Sequence, residues 1–210
     1  MQWKIVTDSG CDMPGIKAGQ KSGQSEIGFE RVPFTIMIEG EEYVDTKSLK
    51  VAEMLWRMEE GEEPGRTSCP SPAAWLAAYE GAEQVIVITM SGALSGSCRS
   101  AAIARELFLE EHPERQVYIL DSRSAGVGIG LQVQQLIQNI LEGKSGEELI
   151  RKAEIEREQV QVLFALFHFE NLIKAGRMHR LIGYAVNRLK LCLIGTGNRE
   201  GKIEILHKIR

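Results

Sequence analysis

The sequence predicts an α/β protein: a mostly parallel sheet flanked by helices, followed by a smaller, partial second α/β unit. Three observations carry this expectation. Apolar runs rich in β-branched residues recur at Lys4–Thr7, Val85–Ile88 and Val117–Leu120, and such runs read as strands buried on both faces. Each run ends in a polar or glycine-containing break: Thr7-Asp8-Ser9-Gly10-Cys11-Asp12, then the cluster from Thr89 to Ser100, then Asp121-Ser122-Arg123-Ser124. The later breaks lead into helical periodicity, and strands alternating with helices indicate a parallel sheet with right-handed crossovers.

Taken in chain order, Met1-Gln2-Trp3-Lys4 runs straight into the first strand. Phe34–Tyr43 reads as a strand that turns at Glu39-Gly40-Glu41, a hairpin signal. Leu49–Met58 has the pattern of a short amphipathic helix, and Glu59–Thr67 that of a charged loop with Gly and Pro. Thr67-Ser68-Cys69-Pro70-Ser71-Pro72 precedes a helical run at Ala73–Ala78, and its plain reading is a serine-capped helix with proline in the first turn. A helix from about Gly126 to Leu141 carries Val127, Leu131, Val133, Leu136, Ile137 and Ile140 at apolar spacing, with Gly143 just past its end as a C-cap. Ser145, with Glu148 three residues on, forms a capping box for a helix running to about Glu158. Val160–Phe167 reads as a further strand. The charge sign changes soon after Gln159, which places the expected domains at 1–158 and 159–210.

A chain of 210 residues, 43% hydrophobic and 26% charged, is long enough to bury a proper core as one large or two small domains, and its composition is that of a folded globular chain rather than a disordered one. The net charge of −4 hides an asymmetry. Residues 171–210 hold nine Lys or Arg against Glu200 and Glu204 alone, a net +7, which leaves −11 on the preceding 170. This is either a basic surface face or a place where the second half meets an anionic ligand or partner. Nucleic acid fits poorly, because no aromatics are interleaved with the basic residues and the chain is acidic overall. Cys11, Cys69, Cys98 and Cys192 are scattered with no CxxC pair, which argues against a zinc site and a disulfide scaffold. No secretory leader pattern opens the chain, and no apolar run nears the ~20 residues that span a bilayer. A reduced, cytoplasmic protein without metal or cofactor is expected.

Thr89, Ser91, Gly92, Ser95, Gly96, Ser97 and Ser100 crowd one strand-to-helix junction. Ligands of open α/β sheets sit outside the carboxyl ends of the strands, where the next helix favours an anion. A serine esterase or thioesterase using Ser95 is one alternative. The GxSxG elbow is absent, however, since Gly92-Ala93-Leu94-Ser95-Gly96 has two residues before the serine and none after it. A triad also needs an oriented histidine. His112 precedes a proline in an acidic loop, His168 lies in an apolar run, and His179 and His207 have basic surroundings. Gly126, Gly128 and Gly130 resemble a phosphate loop only loosely, because Leu131 stands where G-x-G-x-x-G needs its third glycine; close packing is the better account. Asp8, Asp12, Asp45 and Asp121 lie at strand ends and turns, where capping comes ahead of Mg²⁺ binding. Gly176 ends a helix at Leu172–Lys174 and leaves Arg177 at a turn, either solvated or beside a carboxylate or phosphate group.

These segments together resemble the DegV family of bacterial fatty-acid-binding proteins. Thr7-Asp8-Ser9-Gly10-Cys11-Asp12 is similar to the family's TDS…D opening, Val32-Pro33-Phe34 to its VP-L step, and Tyr43-Val44-Asp45 to its Y-x-D. Thr67-Ser68-Cys69-Pro70-Ser71 resembles TSQPS with Cys69 for glutamine, and Ser91–Ser97 resembles SS-x-LSGT with Gly92 and Ser97 as substitutions. Asp121-Ser122 fits the DS after the next strand. Leu172–Met178 is similar to L-x-x-GGRI, with Ala175 for the first glycine.

The resemblance implies that a long-chain fatty acid (C14–C18) lies between two α/β domains. Its carboxyl group would be held by Thr67 and Ser95, with Ser68, Gly96 and Ser97 as nearby donors. It further implies no catalysis: such proteins present the acyl carboxylate to a separate fatty acid kinase, with Arg177 near the ligand or that partner. The family normally continues through a HTGPG-like segment that supplies a histidine, and none of the four histidines here takes that role. The expectation is therefore a partial second domain with exposed apolar surface that favours self-association. A shortened fragment that no longer binds lipid is the remaining alternative.

Overall fold

The computed structural model describes residues 2–16, 21–22, 25–61, 63, 65–144, 146–168, 170–178 and 192–209. In chain order the elements are β1 (Trp3–Asp8), β2 (Lys21–Ser22), β3 (Ser25–Glu26), β4 (Gly28–Val32), β5 (Thr35–Ile38), β6 (Glu41–Val44), α1 (Val51–Glu60), β7 (Arg66–Ser68) and α2 (Pro72–Tyr79). They continue with β8 (Gln84–Thr89), α3 (Ser97–Glu111), β9 (Gln116–Asp121), α4 (Val127–Leu141), α5 (Gly146–Arg157), β10 (Leu163–Leu166), α6 (Glu170–Lys174), β11 (Cys192–Gly197) and β12 (Ile203–Ile209). The expected capping residue Ser145 and His179 lie outside the described residues.

The central sheet has the order β4-β1-β8-β9 with every pair parallel. All six residues of β8 are buried, as a strand covered on both faces requires. The two-residue period of a strand sends alternate side chains to opposite layers. Ile5, Ile86, Ile88 and Leu120 join the cluster that holds Ile129, Val133, Leu136 and Ile137 of α4 and Leu149 of α5. Val6, Val85, Val87 and Val117 join Trp75 and Tyr79 of α2 and Ala101, Ala104 and Phe108 of α3. The Tyr79 hydroxyl donates to the Ala101 carbonyl at 2.8 Å and ties the two helices of that layer.

Local signals explain several boundaries. Ser71 caps α2, accepting from the Ala74 N–H at 3.3 Å, and Pro72 stands first in the helix. Gly143, at φ +77°, follows α4. Glu39 and Gly40, both at positive φ, form the turn of the β5–β6 hairpin. β2, β3, β4, β11 and β12 go beyond the expectation, and so does Arg66–Ser68, which pairs with the other edge of β5 as β7. Three exposed polar residues show no apolar alternation, so only their backbone pairing makes them a strand.

Beyond α5 the chain builds a separate antiparallel sheet, β10-β11-β12. The strand expected from Val160 is shorter and begins at Leu163. The N–H groups of Glu158, Gln159 and Val160 donate to Ile155, Glu156 and Arg157 in a turn that leaves α5, and the Val162 carbonyl accepts from the Thr196 hydroxyl at 2.9 Å. Met178 and Leu193 centre a small core against Leu166, Leu172, Ile173, Ile203 and Ile205. Among the described residues no helix is long and apolar enough to cross a membrane.

Candidate functional site

The carboxyl ends of β1, β8 and β9 meet at the hydroxyl-rich loop 90–96. Asp8 organises it from below. Its Oδ2 accepts from the Met90 N–H at 2.8 Å and from the Ser97 hydroxyl at 2.5 Å, and its Oδ1 from the Gly10 N–H at 3.1 Å. Burial pushes the Asp8 carboxyl above its ordinary value, outweighing the hydrogen bonds from Ser97, Met90 and Gly10 that favour the anion. The Asp121 carboxylate accepts from the Gly92 N–H at 3.1 and 3.2 Å and from the Arg123 N–H at 2.9 Å. Two of the acids at strand ends therefore hold loop backbone. Among the described residues no group of acids, histidines or cysteines is placed to hold a metal ion.

The TSCPS segment lies against this loop. The Ser100 hydroxyl, in the first turn of α3, donates to the Pro70 carbonyl at 2.6 Å, and a Cβ on Gly96 would stand 3.3 Å from Cys69 Sγ. The two hydroxyl-bearing segments, separate in sequence, thus converge.

The individual side chains are placed differently. Thr67 is exposed and lines a cavity of about 820 Å³. Ser95 and Gly96 line an adjoining cavity of about 620 Å³. Leu94, Ala175 and Arg177 border both. Between them Arg177 donates from Nε to the Leu94 carbonyl at 3.0 Å, and from Nη1 to the Ala175 carbonyl. Ser95 Oγ accepts from the Ser97 N–H at 3.2 Å, which leaves the Ser95 hydroxyl proton for another acceptor. Ser97 is fully buried and its own hydroxyl is given to Asp8, so it supports the loop and lines neither cavity. Ser68 is exposed and also lines neither. Among the described residues no histidine is hydrogen-bonded to Ser95.

The 820 Å³ cavity joins the two halves of the chain. Met90, Leu94 and Ala125 come from the parallel-sheet side, and Phe164, Leu166, Leu172 and Ile203 from the second sheet and α6. Its size falls within the roughly 300–1,000 Å³ of small-molecule sites. The sequence singled out Thr67 and Arg177 here but not Arg66 and Lys174, two more cations of the lining, nor the apolar side chains. Among its described lining residues there is no carboxylate. Phe164 and Leu166 carried a signal as part of an apolar run, but which face of a short strand meets a ligand follows only from its partner strand. A larger cavity, about 890 Å³, lies along α4 and the 159–161 segment and is lined by glutamines and apolar residues, away from the hydroxyl loop.

Comparison with known proteins places the family and the fold. A family described as "Uncharacterised protein, DegV family" matches residues 2–210. A DegV domain-containing protein of Streptococcus pyogenes serotype M1 is 39% identical over 210 residues, covering 100% of this chain and 74% of the relative. The crystal structure of the Streptococcus pneumoniae fatty acid kinase B3 protein loaded with linoleic acid superposes with a TM-score of 0.93 at 36% identity, covering 100% of this chain and 73% of that one. A DegV family protein from Eubacterium eligens loaded with heptadecanoic acid gives a TM-score of 0.89 at 32% identity, over 99% of this chain and 72% of that one.

Proposed function

The chain belongs to the DegV family, and from that premise we propose that it binds a long-chain fatty acid and presents it to a separate fatty acid kinase. The observation that carries this reading is the 820 Å³ cavity between the two halves, with apolar walls and the cations Arg66, Lys174 and Arg177 but no carboxylate among its described lining residues. Such a lining suits an acyl tail with an anionic head. Thr67 and Ser95 hold the carboxylate, from either side of the Arg177–Leu94 hydrogen bond, and Gly96 adds a backbone donor. Ser97 acts behind these contacts through Asp8, and Ser68 lies exposed beside Thr67 on β7. The tail supplies most of the affinity. At about 0.8 kcal/mol per buried CH₂, a C16 chain gains on the order of 12 kcal/mol before the cost of ordering. Each hydrogen bond to the carboxylate adds roughly 1.5–3 kcal/mol.

In this reading residues 1–158 and 159–210 are the two units that the ligand joins. The chain works in the cytoplasm as a carrier and not as an enzyme. The exposed Leu163, Phe167 and Ile209 give the second unit an apolar face for self-association. Lipid extraction of the purified protein followed by mass spectrometry is expected to return stoichiometric C14–C18 fatty acid. Thr67→Ala with Ser95→Ala is expected to weaken binding of a titrated fatty acid by about tenfold or more, the loss of one to two carboxylate hydrogen bonds. Protein that carries no lipid and takes up none after delipidation would reject the carrier reading. Unchanged affinity in the double variant would reject the head-group assignment alone.

A further inference from the structure

A further, smaller cavity of about 260 Å³ lies where the loop after β9 meets the end of α5 and the β11–β12 turn. Arg123, Arg157 and Arg199 converge on it from these three elements, with Glu158 as the carboxylate among its described lining residues. Glu158 does not neutralise them all. Its Oε1 lies 2.7 Å from Arg123 Nη1 and 3.6 Å from Arg157 Nη2. Glu200, the next residue along from Arg199, is engaged by Lys202. Arg199 has no ion pair or hydrogen bond among the described residues, and the lining keeps a net charge of +2.

Arg157 makes the arrangement unlike a solvated basic patch. Its side chain is only 11% exposed; Nη1 donates to the Asp121 carbonyl at 2.8 Å, while Nε is buried and has no partner. A guanidinium offers five donors, and a buried one left without an acceptor is costly, so Arg157 keeps hydrogen-bonding capacity that the described fold does not use. Arg123 is held in place as well. Its backbone sits at φ +50°, a conformation that side-chain-bearing residues rarely adopt, and its N–H is bonded to Asp121. Planar guanidinium forks with a surplus of two positive charges match a tetrahedral dianion.

We propose that the cleft formed by Arg123, Arg157 and Arg199 is a binding site for a phosphate group, separate from the fatty-acid cavity and independent of what that cavity holds. The ligand is free phosphate or a small phosphate monoester. Isothermal titration of the whole chain with inorganic phosphate, against sodium chloride at matched ionic strength, is expected to show saturable 1:1 binding. Arg199→Gln, whose side chain makes no bond within the described fold, is expected to weaken it at least tenfold. Glu158→Gln, which removes the competing carboxylate, is expected to tighten it several-fold. Titration with methyl phosphate then separates the two sources: equal or tighter binding marks an ester, and rejection marks the free ion. Heats no different from those of sodium chloride, or an Arg199→Gln variant that binds like the parent, would overturn the proposal.

Discussion

Asp8 sits at the carboxyl end of β1 with no exposed surface, and its two oxygens take hydrogen bonds from Gly10, Met90 and Ser97. Burial favours the neutral acid and wins, so the folded-state pKa lies above the ordinary 3.8. The folded chain then holds this proton more tightly than the unfolded chain does. The resulting contribution to stability is complete below pH 3.8 and is lost as pH rises through the raised folded value. Asp8→Asn removes the titration. The unfolding free energy of the parent minus that of Asp8→Asn is expected to fall as pH is raised from 3.8, read from urea melts at a series of pH values. A difference that stays flat with pH would show that burial does not govern this carboxyl. The sequence marked Asp8 as an acid at a strand end, where capping and turn roles are common. Its partner Ser97 lies 89 residues away, and no local pattern encodes that pairing.

The same division holds for whole elements. The Ser71 cap of α2, the Gly143 stop of α4 and the Glu39-Gly40 turn were legible because each depends on a few adjacent residues. β7 was not, because Arg66-Thr67-Ser68 becomes a strand only through its pairing with β5. The β11–β12 hairpin shows how much rests on such long-range contacts. Within the turn, Asn198 Oδ1 accepts from the N–H groups of Glu200 and Lys202, both at 3.0 Å. The Gly201 carbonyl then accepts the Ser91 hydroxyl at 2.8 Å, docking the second sheet on the loop after β8. Gly201 is at φ +77°, and a Cβ there would stand 2.2 Å from Ser91 Oγ and 2.9 Å from Arg123 Cα. Gly201→Ala therefore adds backbone strain of about 1–3 kcal/mol and drives the hairpin off Ser91, at roughly a further 1 kcal/mol. Chemical denaturation is expected to show a loss of about 2–4 kcal/mol. A variant as stable as the parent would mean that the hairpin is not docked at Ser91.

At the scale of the molecule, the parallel sheet with its two helical layers was readable from periodicity, whereas the cavity lined by Thr67 and Arg177, and the adjoining one lined by Ser95 and Arg177, were not. Composition explains why. The motif residues are small or polar, and the walls they border come from the loop after β8 and from β10, α6 and β12, segments spread over more than half of the chain. Because the cavity is built from both halves, a ligand in it ties them together, and binding must appear as stability. A ligand that binds only the folded state adds RT ln(1 + [L]/Kd), about 2.7 kcal/mol at a concentration of 100 Kd. For a chain of this length 1 kcal/mol moves the melting temperature by roughly 2–4 °C. Delipidated protein is expected to melt about 5–11 °C higher with palmitate at that level, by calorimetry below the lipid's aggregation limit. At the same lipid concentration Thr67→Ala with Ser95→Ala should keep only about half of that shift, since a tenfold weaker Kd removes about 1.4 kcal/mol. Palmitate that leaves the melting temperature of the delipidated parent unmoved would show that the cavity between the halves is not where an acyl chain binds.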